Sequence, residues 1–323
     1  MTTEKAIVTM VVALSVLAAP VDAQVVSSNA ALRYWMAFAV LREPSVDSAT
    51  AELLENVASG KAPWDETRLG SIVDANREAV ETMQRGTSLP TCDWGVEYDR
   101  GPGAPIAHLA KARVLARLNT LAGMRLAANG QLSQAIDTWV TGVRFSQHVA
   151  QGGSLISLLT GRAALSSNLH ALSHIPASAS LDDTDRKRID AAVRSLPDTG
   201  FDWSDAVRRE ESALEIFGRQ VSVAPDPKAY YQRTTGQPAP ENFTLPRMAD
   251  VEALRRFMTR AIEVLRLPPD VASPRLKELQ AIEQTLHPFF QRIPSLSRIN
   301  DTRAEVRADL KRMLDIVATP PRR

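Results

Sequence analysis

Apolar residues recur along this chain at spacings of three and four. Nowhere do they show the strict alternation of a half-buried strand, so the pattern predicts helices almost throughout. The first covers about 30–41, behind the cap candidates Ser27, Ser28 and Asn29, and stops before Pro44. Next come 46–59, ended by Gly60, and 65–85, which sets Leu69, Ile72, Val73, Val80 and Met83 on one face and stops at Gly86. Two long helices, about 106–129 and 132–150, meet at Gly130. They are followed by 154–174, by 182–196 behind Asp182 or Asp183, and by 203–223 behind Asp202. Three more, about 248–267, 274–290 and 301–318, close the chain. The predicted fold class is therefore all-α: about eleven helices in antiparallel hairpins, packed as a short solenoid or bundle with no sheet.

The interruptions set the organisation. Residues 87–106 hold Pro90, Gly95, Gly101, Pro102, Gly103 and Pro105 and predict a long loop, a length that in compact domains often carries function. Residues 224–247 hold five prolines and the Tyr230-Tyr231 pair with no clear period, and predict an extended linker. At the start, Lys5 precedes an uncharged, mostly apolar run over 6–19, and Val21-Asp22-Ala23 precedes Gln24. That is the anatomy of a cleaved secretory signal, and the run is short for a membrane span. The expected division is a signal peptide 1–23, a helical domain 24–223, a linker 224–247 and a C-terminal three-helix segment 248–323. The expected location is periplasmic or secreted, with no membrane span after cleavage.

Composition narrows the function classes. Apolar residues make up 44% of the chain but aromatic ones only 5%, which favours close helix packing through small residues. Loss of residues 1–23 removes Lys5, Glu4 and Asp22 and leaves 37 basic and 35 acidic side chains. So nearly balanced a charge gives no electrostatic case for a nucleic-acid partner. Cys92 is the single cysteine, so no internal disulfide forms; with no base beside it, it reads as a small buried apolar group.

Residues 116–149 resemble one tetratricopeptide hairpin. Gly123 stands where that motif has a small residue, Gly130-Gln131-Leu132-Ser133-Gln134-Ala135 matches its turn, and Trp139 and Gly142 take the next large and small positions. No second copy follows at a 34-residue offset. Over about 28–175 the chain also resembles a family of uncharacterised exported bacterial proteins. The residues that carry this are Asn29-Ala30-Ala31, Tyr34-Trp35-Met36-Ala37-Phe38 and Cys92-Asp93-Trp94-Gly95, followed by a Gly-Pro-Gly and the hairpin. The resemblance implies fold and compartment only.

Three constellations carry candidate chemistry. In the 92–108 loop, Asp93, Trp94, Glu97, Tyr98 and Asp99, with Arg100 and His108 near in sequence, offer carboxylates, an aromatic platform and an imidazole. These suit a sugar or a positioned water; alternatively Asp93 caps a turn and Trp94 plugs the loop against the hairpin. His170 and His174, at i and i+4, have a spacing that can hold Zn²⁺ or Cu²⁺, or else they close the last turn of their helix. Ala171 stands where a metalloprotease helix has its glutamate. Glu210 lies on an otherwise apolar stripe, Trp203, Val207, Leu214, Phe217 and Val221. A carboxylate there needs a partner, and Arg162, Arg194 and Arg256 are the expected candidates. The sequons at Asn242 and Asn300 matter only in a glycosylating host.

The expectation is a non-enzymatic helical scaffold that binds a protein or peptide partner beside the hairpin, with no cofactor. The alternative is an envelope hydrolase or metal-dependent enzyme built on the 92–108 loop and Glu210.

Overall fold

Helix boundaries in the computed structural model fall where capping carboxylates, amides and turn glycines stand. The structure describes residues 28–175, 181–241, 243–290 and 295–319. Among them it is all-helical, with thirteen α-helices and two 3-10 turns. In chain order the helices are α1 Ala30–Val40, α2 Ser48–Ala58, α3 Glu66–Ala75, α4 Arg77–Gly86, α5 His108–Ala128, α6 Leu132–Ala150 and α7 Leu155–Ser173. They continue with α8 Asp183–Arg194, α9 Trp203–Val223, α10 Pro227–Thr235, α11 Met248–Leu265, α12 Pro269–Glu283 and α13 Leu296–Ala318. Asn29, Asp47, Asp65, Asp182, Asp202 and Asp226 each accept a backbone N–H in the first turn of the helix they precede. Residues 1–23, expected to be a signal peptide, and Asn242 lie outside the described residues. No helix among the described residues is long and apolar enough to cross a membrane.

Several elements differ from expectation. The helix predicted over 274–290 runs instead over Pro269–Glu283, started by Pro269 and holding Pro274 inside, with a separate 3-10 turn at Pro288–Phe290, and the helix predicted over 301–318 starts at Leu296. The helix predicted over 65–85 breaks at Asn76, whose backbone (φ −114°, ψ 10°) leaves helical geometry. Its Oδ1 accepts the Arg42 N–H at 2.8 Å while its Nδ2 donates to the Ile72 carbonyl at 3.0 Å, so a long-range bond to the chain leaving α1 is made at the break. The segment expected as an extended linker, 224–247, contains α10. Asp226 accepts from the Ala229 N–H, Pro227 occupies the first turn and Gly236 ends the helix at φ +67°. Tyr231 on α10 is 1% exposed and packs against Phe217 and Phe289. Burial of that ring gives a nine-residue helix the tertiary support that such a length needs.

The α5–α6 hairpin is closely packed. A Cβ at Gly123 would run into the Trp139 indole, whose Nε1 donates to the Thr120 carbonyl at 3.2 Å. Asn119 Nδ2 donates to the Thr138 carbonyl at 2.9 Å across the same pair. On the far side of α6, Gly142 lets α7 approach so closely that a Cβ would collide with Asn168. One large apolar cluster joins α6 to α9 with α10 to α13. A second joins α1, α4, α5 and the 92–94 loop, and a third seats α2 and α3 against Leu121. Asn300, the second sequon, is buried and donates to the Pro269 carbonyl at 2.9 Å, so its amide is not presented for a glycan.

Candidate functional site

The 92–108 loop is fixed at its start by α1. Asn29 Oδ1 accepts the Asp93 N–H at 2.8 Å and the Ala31 N–H at 3.1 Å, while Asn29 Nδ2 donates to the Asp93 carbonyl at 2.9 Å. Ala30 N–H adds a bond to the Thr91 carbonyl at 2.7 Å. The Asn-Ala-Ala and Cys-Asp-Trp-Gly segments are thus physical partners across more than sixty residues of chain. Asp93 Oδ1 then accepts the Gly95 N–H at 2.9 Å and closes the turn that aims Trp94 inward.

Trp94 plugs the loop against the hairpin. Its Nε1 donates to the His148 carbonyl on α6 at 2.8 Å, and its ring stacks on His108, 4.4 Å between centroids, and on Phe38 at 6.0 Å. Behind it the Tyr34 hydroxyl meets His148 Nδ1 at 2.5 Å. Downstream, the 3-10 turn Tyr98–Gly103 docks on α9 through Gly101 (φ +64°), where a Cβ would approach Ile216 Cγ2 to 3.1 Å. That contact brings Tyr98 under Arg209, whose guanidinium carbon lies 5.3 Å from the ring centroid. The result is a cavity of about 370 Å³ with Asp93, Trp94, Tyr98, His108, Ser157 and Arg209 among its walls.

Burial governs the chemistry of these groups. His108 is 2% exposed, and desolvation lowers its pKa to about 4, so at neutral pH the ring is an uncharged stacking partner. The Cys92 thiol is pushed up to about 12 by burial and by Asp93, which removes it as a nucleophile and agrees with its reading as a small apolar group. The Tyr98 hydroxyl is raised by burial. It faces Ser157 and Ser154 at the start of α7 and also senses Glu210. Ser157 is 1% exposed, and its Oγ lies near Tyr98 without a hydrogen bond of good geometry to that hydroxyl or any other group.

The expected arginine partner of Glu210 is replaced by a backbone amide. Arg162 pairs with Glu305, Arg194 with Asp190 and Arg256 with Glu252. Glu210 Oε1 instead accepts the Leu155 N–H at 2.9 Å, in the first turn of α7, whose own N-cap Ser154 makes no side-chain cap bond. The carboxylate caps α7 from another helix, where the positive end of the helix dipole attracts it. Burial still raises its pKa above the usual carboxylate range.

Asp93, Trp94 and His108 therefore share one cavity, and Glu210 adjoins it through Tyr98 and α7. Glu97 and Asp99 turn to solvent, Glu97 pairing with Arg100 at 3.3 Å. His170 and His174 line no part of this cavity. Their rings lie 3.9 Å apart, and His174 Nδ1 meets the His170 carbonyl at 2.9 Å, as expected of side chains closing the last turn of α7. Among the described residues no group of three or more His, Cys, Asp or Glu side chains is placed to hold a metal ion. Sequence reasoning passed over Arg209 and Ser157. Gly152-Gly153, which carries the α6–α7 turn into the same cavity, was the available signal for Ser157.

The arrangement offers an aromatic floor, one cation and the hydroxyls of Tyr98 and Ser157, and among the described residues no carboxylate is hydrogen-bonded to the His108 imidazole in the way that orients the base of a catalytic triad. Compared with protein-family models, curated proteins and solved structures, the chain matches none.

Proposed function

We propose that this is an exported, non-enzymatic helical binding protein whose partner is a protein or peptide segment that lays an apolar face along α1. The observation that carries the proposal is the outer side of α1. Leu32, Trp35, Met36 and Val40 are 52%, 42%, 54% and 38% exposed, while Ala30, Ala31, Tyr34, Ala37 and Phe38 on the inner side are buried. Exposed apolar residues normally scatter singly; four in a row at helical spacing form a docking surface. Trp35 also touches Trp94 and His108 edge-on, at 6.2 and 6.4 Å between centroids, so the row leads toward the mouth of the 92–108 cavity. Covering the four half-exposed side chains contributes about 1 kcal/mol each, enough for a modest contact that an anchor in the cavity would strengthen. The hydrolase alternative has less support. His108 is neutral and stacked, Glu210 is engaged by an amide, and Asp93 is tied into its own turn.

A photo-crosslinking residue at Met36, introduced into the protein in its native envelope, should yield a discrete adduct with one partner. The same residue at exposed Arg275 on α12 should not, and Trp35→Ser should abolish the adduct in protein that remains folded, with Tm lowered only by the ring contacts that Trp35 makes to Phe38, Trp94 and His108. Absence of an adduct from position 36 in folded protein, or one that survives Trp35→Ser unchanged, would overturn the proposal.

A further inference from the structure

Arg303 on α13 is 2% exposed, and among the described residues it forms no ion pair with a carboxylate. Its Nη1 donates to Asn300 Oδ1 at 2.8 Å and its Nη2 to the Leu267 carbonyl at 2.6 Å, both neutral oxygens, while its Nε has no partner. A cation so placed has surrendered its water without gaining a counter-charge, a cost that an anion nearby would offset. Arg303 lines a cavity of about 490 Å³ between the 197–204 turn, the 265–269 turn and α13. Three further arginines, Arg208, Arg266 and Arg307, reach the same cavity.

The ties on those arginines are loose. Arg208 pairs with Asp205 at 2.8 Å and Arg307 with Asp270 at 3.0 Å, both at the surface, where such pairs are weak and exchange readily. Arg266, exposed at the end of α11, forms no ion pair among the described residues. Two carboxylates also face the space, Asp198 and Asp202, and Asp202 is committed to capping α9 through the Asp205 N–H and the Ser204 hydroxyl. Phe201, Leu265 and Pro268 supply apolar wall.

We propose that this cavity binds a small soluble organic anion, its phosphate or carboxylate group held by Arg303 and Arg266 and its apolar body resting on Phe201, Leu265 and Pro268. Planar guanidinium forks match such oxyanions two bonds at a time. Burial lowers the Arg303 pKa only to about 10, so it keeps its charge at neutral pH. The site is separate from the α1 face and does not depend on a protein partner.

The test is thermal denaturation of the full protein with phenyl phosphate, benzoate or phenol at fixed ionic strength set by sodium chloride. Phenyl phosphate or benzoate should raise Tm saturably and phenol should not. Because Arg303 also ties α13 to the Leu267 carbonyl, the decisive variant is Arg266→Gln/Arg307→Gln. It should keep the ligand-free Tm and weaken the midpoint by roughly tenfold or more, the worth of one lost charge-assisted contact. Equal responses to phenol and phenyl phosphate, or an unaltered midpoint in the double variant, would overturn the proposal. So would flotation with phosphatidylglycerol vesicles in the absence of any response to the soluble anions.

Discussion

Replacing Trp139 with alanine should destabilise the protein by about 3–5 kcal/mol, and the sign of a second substitution tests the reason. The indole is 2% exposed and fills the space that Gly123 leaves on α5, while its Nε1 holds the Thr120 carbonyl. Gly123→Ala by itself gains about 1 kcal/mol of helix propensity. Its new methyl meets the indole, an overpacking that costs about 1–3 kcal/mol, so the single variant should be neutral or destabilised by up to about 2 kcal/mol. In the Trp139→Ala background the obstacle is gone. The same methyl then keeps its propensity gain and fills part of the void, so Gly123→Ala should stabilise by about 1 kcal/mol. The coupling between the two sites should therefore be about 1–3 kcal/mol. Urea unfolding of the four proteins, followed by far-UV circular dichroism and by the fluorescence of the remaining tryptophans, measures it, provided the two probes coincide. Additivity within about 0.5 kcal/mol would show that Gly123 and Trp139 are not packed as described.

Acid should weaken the fold through its buried imidazoles. His108 and His148 both have folded pKa values lowered to about 4 by burial, so as pH falls below about 6.5 the unfolded chain takes up protons first and stability is lost down to about pH 4. For His108 the loss is on the order of 3 kcal/mol. His108→Phe should flatten the Tm profile between pH 7 and 4.5, and a profile parallel to wild type would contradict the assignment. Glu210 works in the opposite sense. Its pKa is raised in the fold, so protonation relieves a cost and its contribution to stability improves as pH falls from neutral through that raised value. Glu210→Gln keeps an acceptor for the Leu155 N–H and removes the charge. The variant should be equal to or more stable than wild type at pH 7.5 and lose that advantage toward pH 4.5, as calorimetry at the two pH values would show. A large loss of stability at pH 7.5 would mean that the carboxylate charge itself holds α7.

Local chemistry determined most of the helices and little of what joins them. Asp47, Asp65, Asp182 and Asp202 each act within three residues of where they stand, so helix starts were readable from neighbouring residues. The apolar period likewise showed which faces are buried, including the Trp203–Val221 stripe and the small-against-large match of Gly123 and Trp139. The break at Asn76 was not readable, because the apolar period continues through it and a partner of the breaking residue, the Arg42 N–H, comes from elsewhere in the chain. α10 bore local signals in Asp226, Pro227 and Gly236, but nine residues among prolines show no period, and the burial of Tyr231 against distant rings sustains it.

The candidate site divides in the same way. Asp93, Trp94 and His108 lie along one loop and the start of the helix that follows it, and were legible as a group. Their cavity exists because Asn29 holds Asp93 and because Gly101 lands on α9, which together bring in Arg209 and the start of α7. Glu210 was correctly placed on a buried stripe and wrongly given an arginine, since its true partner is a backbone N–H left over at the end of another helix. Every residue except proline carries such a group, so no side-chain pattern can announce it; only the packing of α9 against α7 decides which one is free to bond.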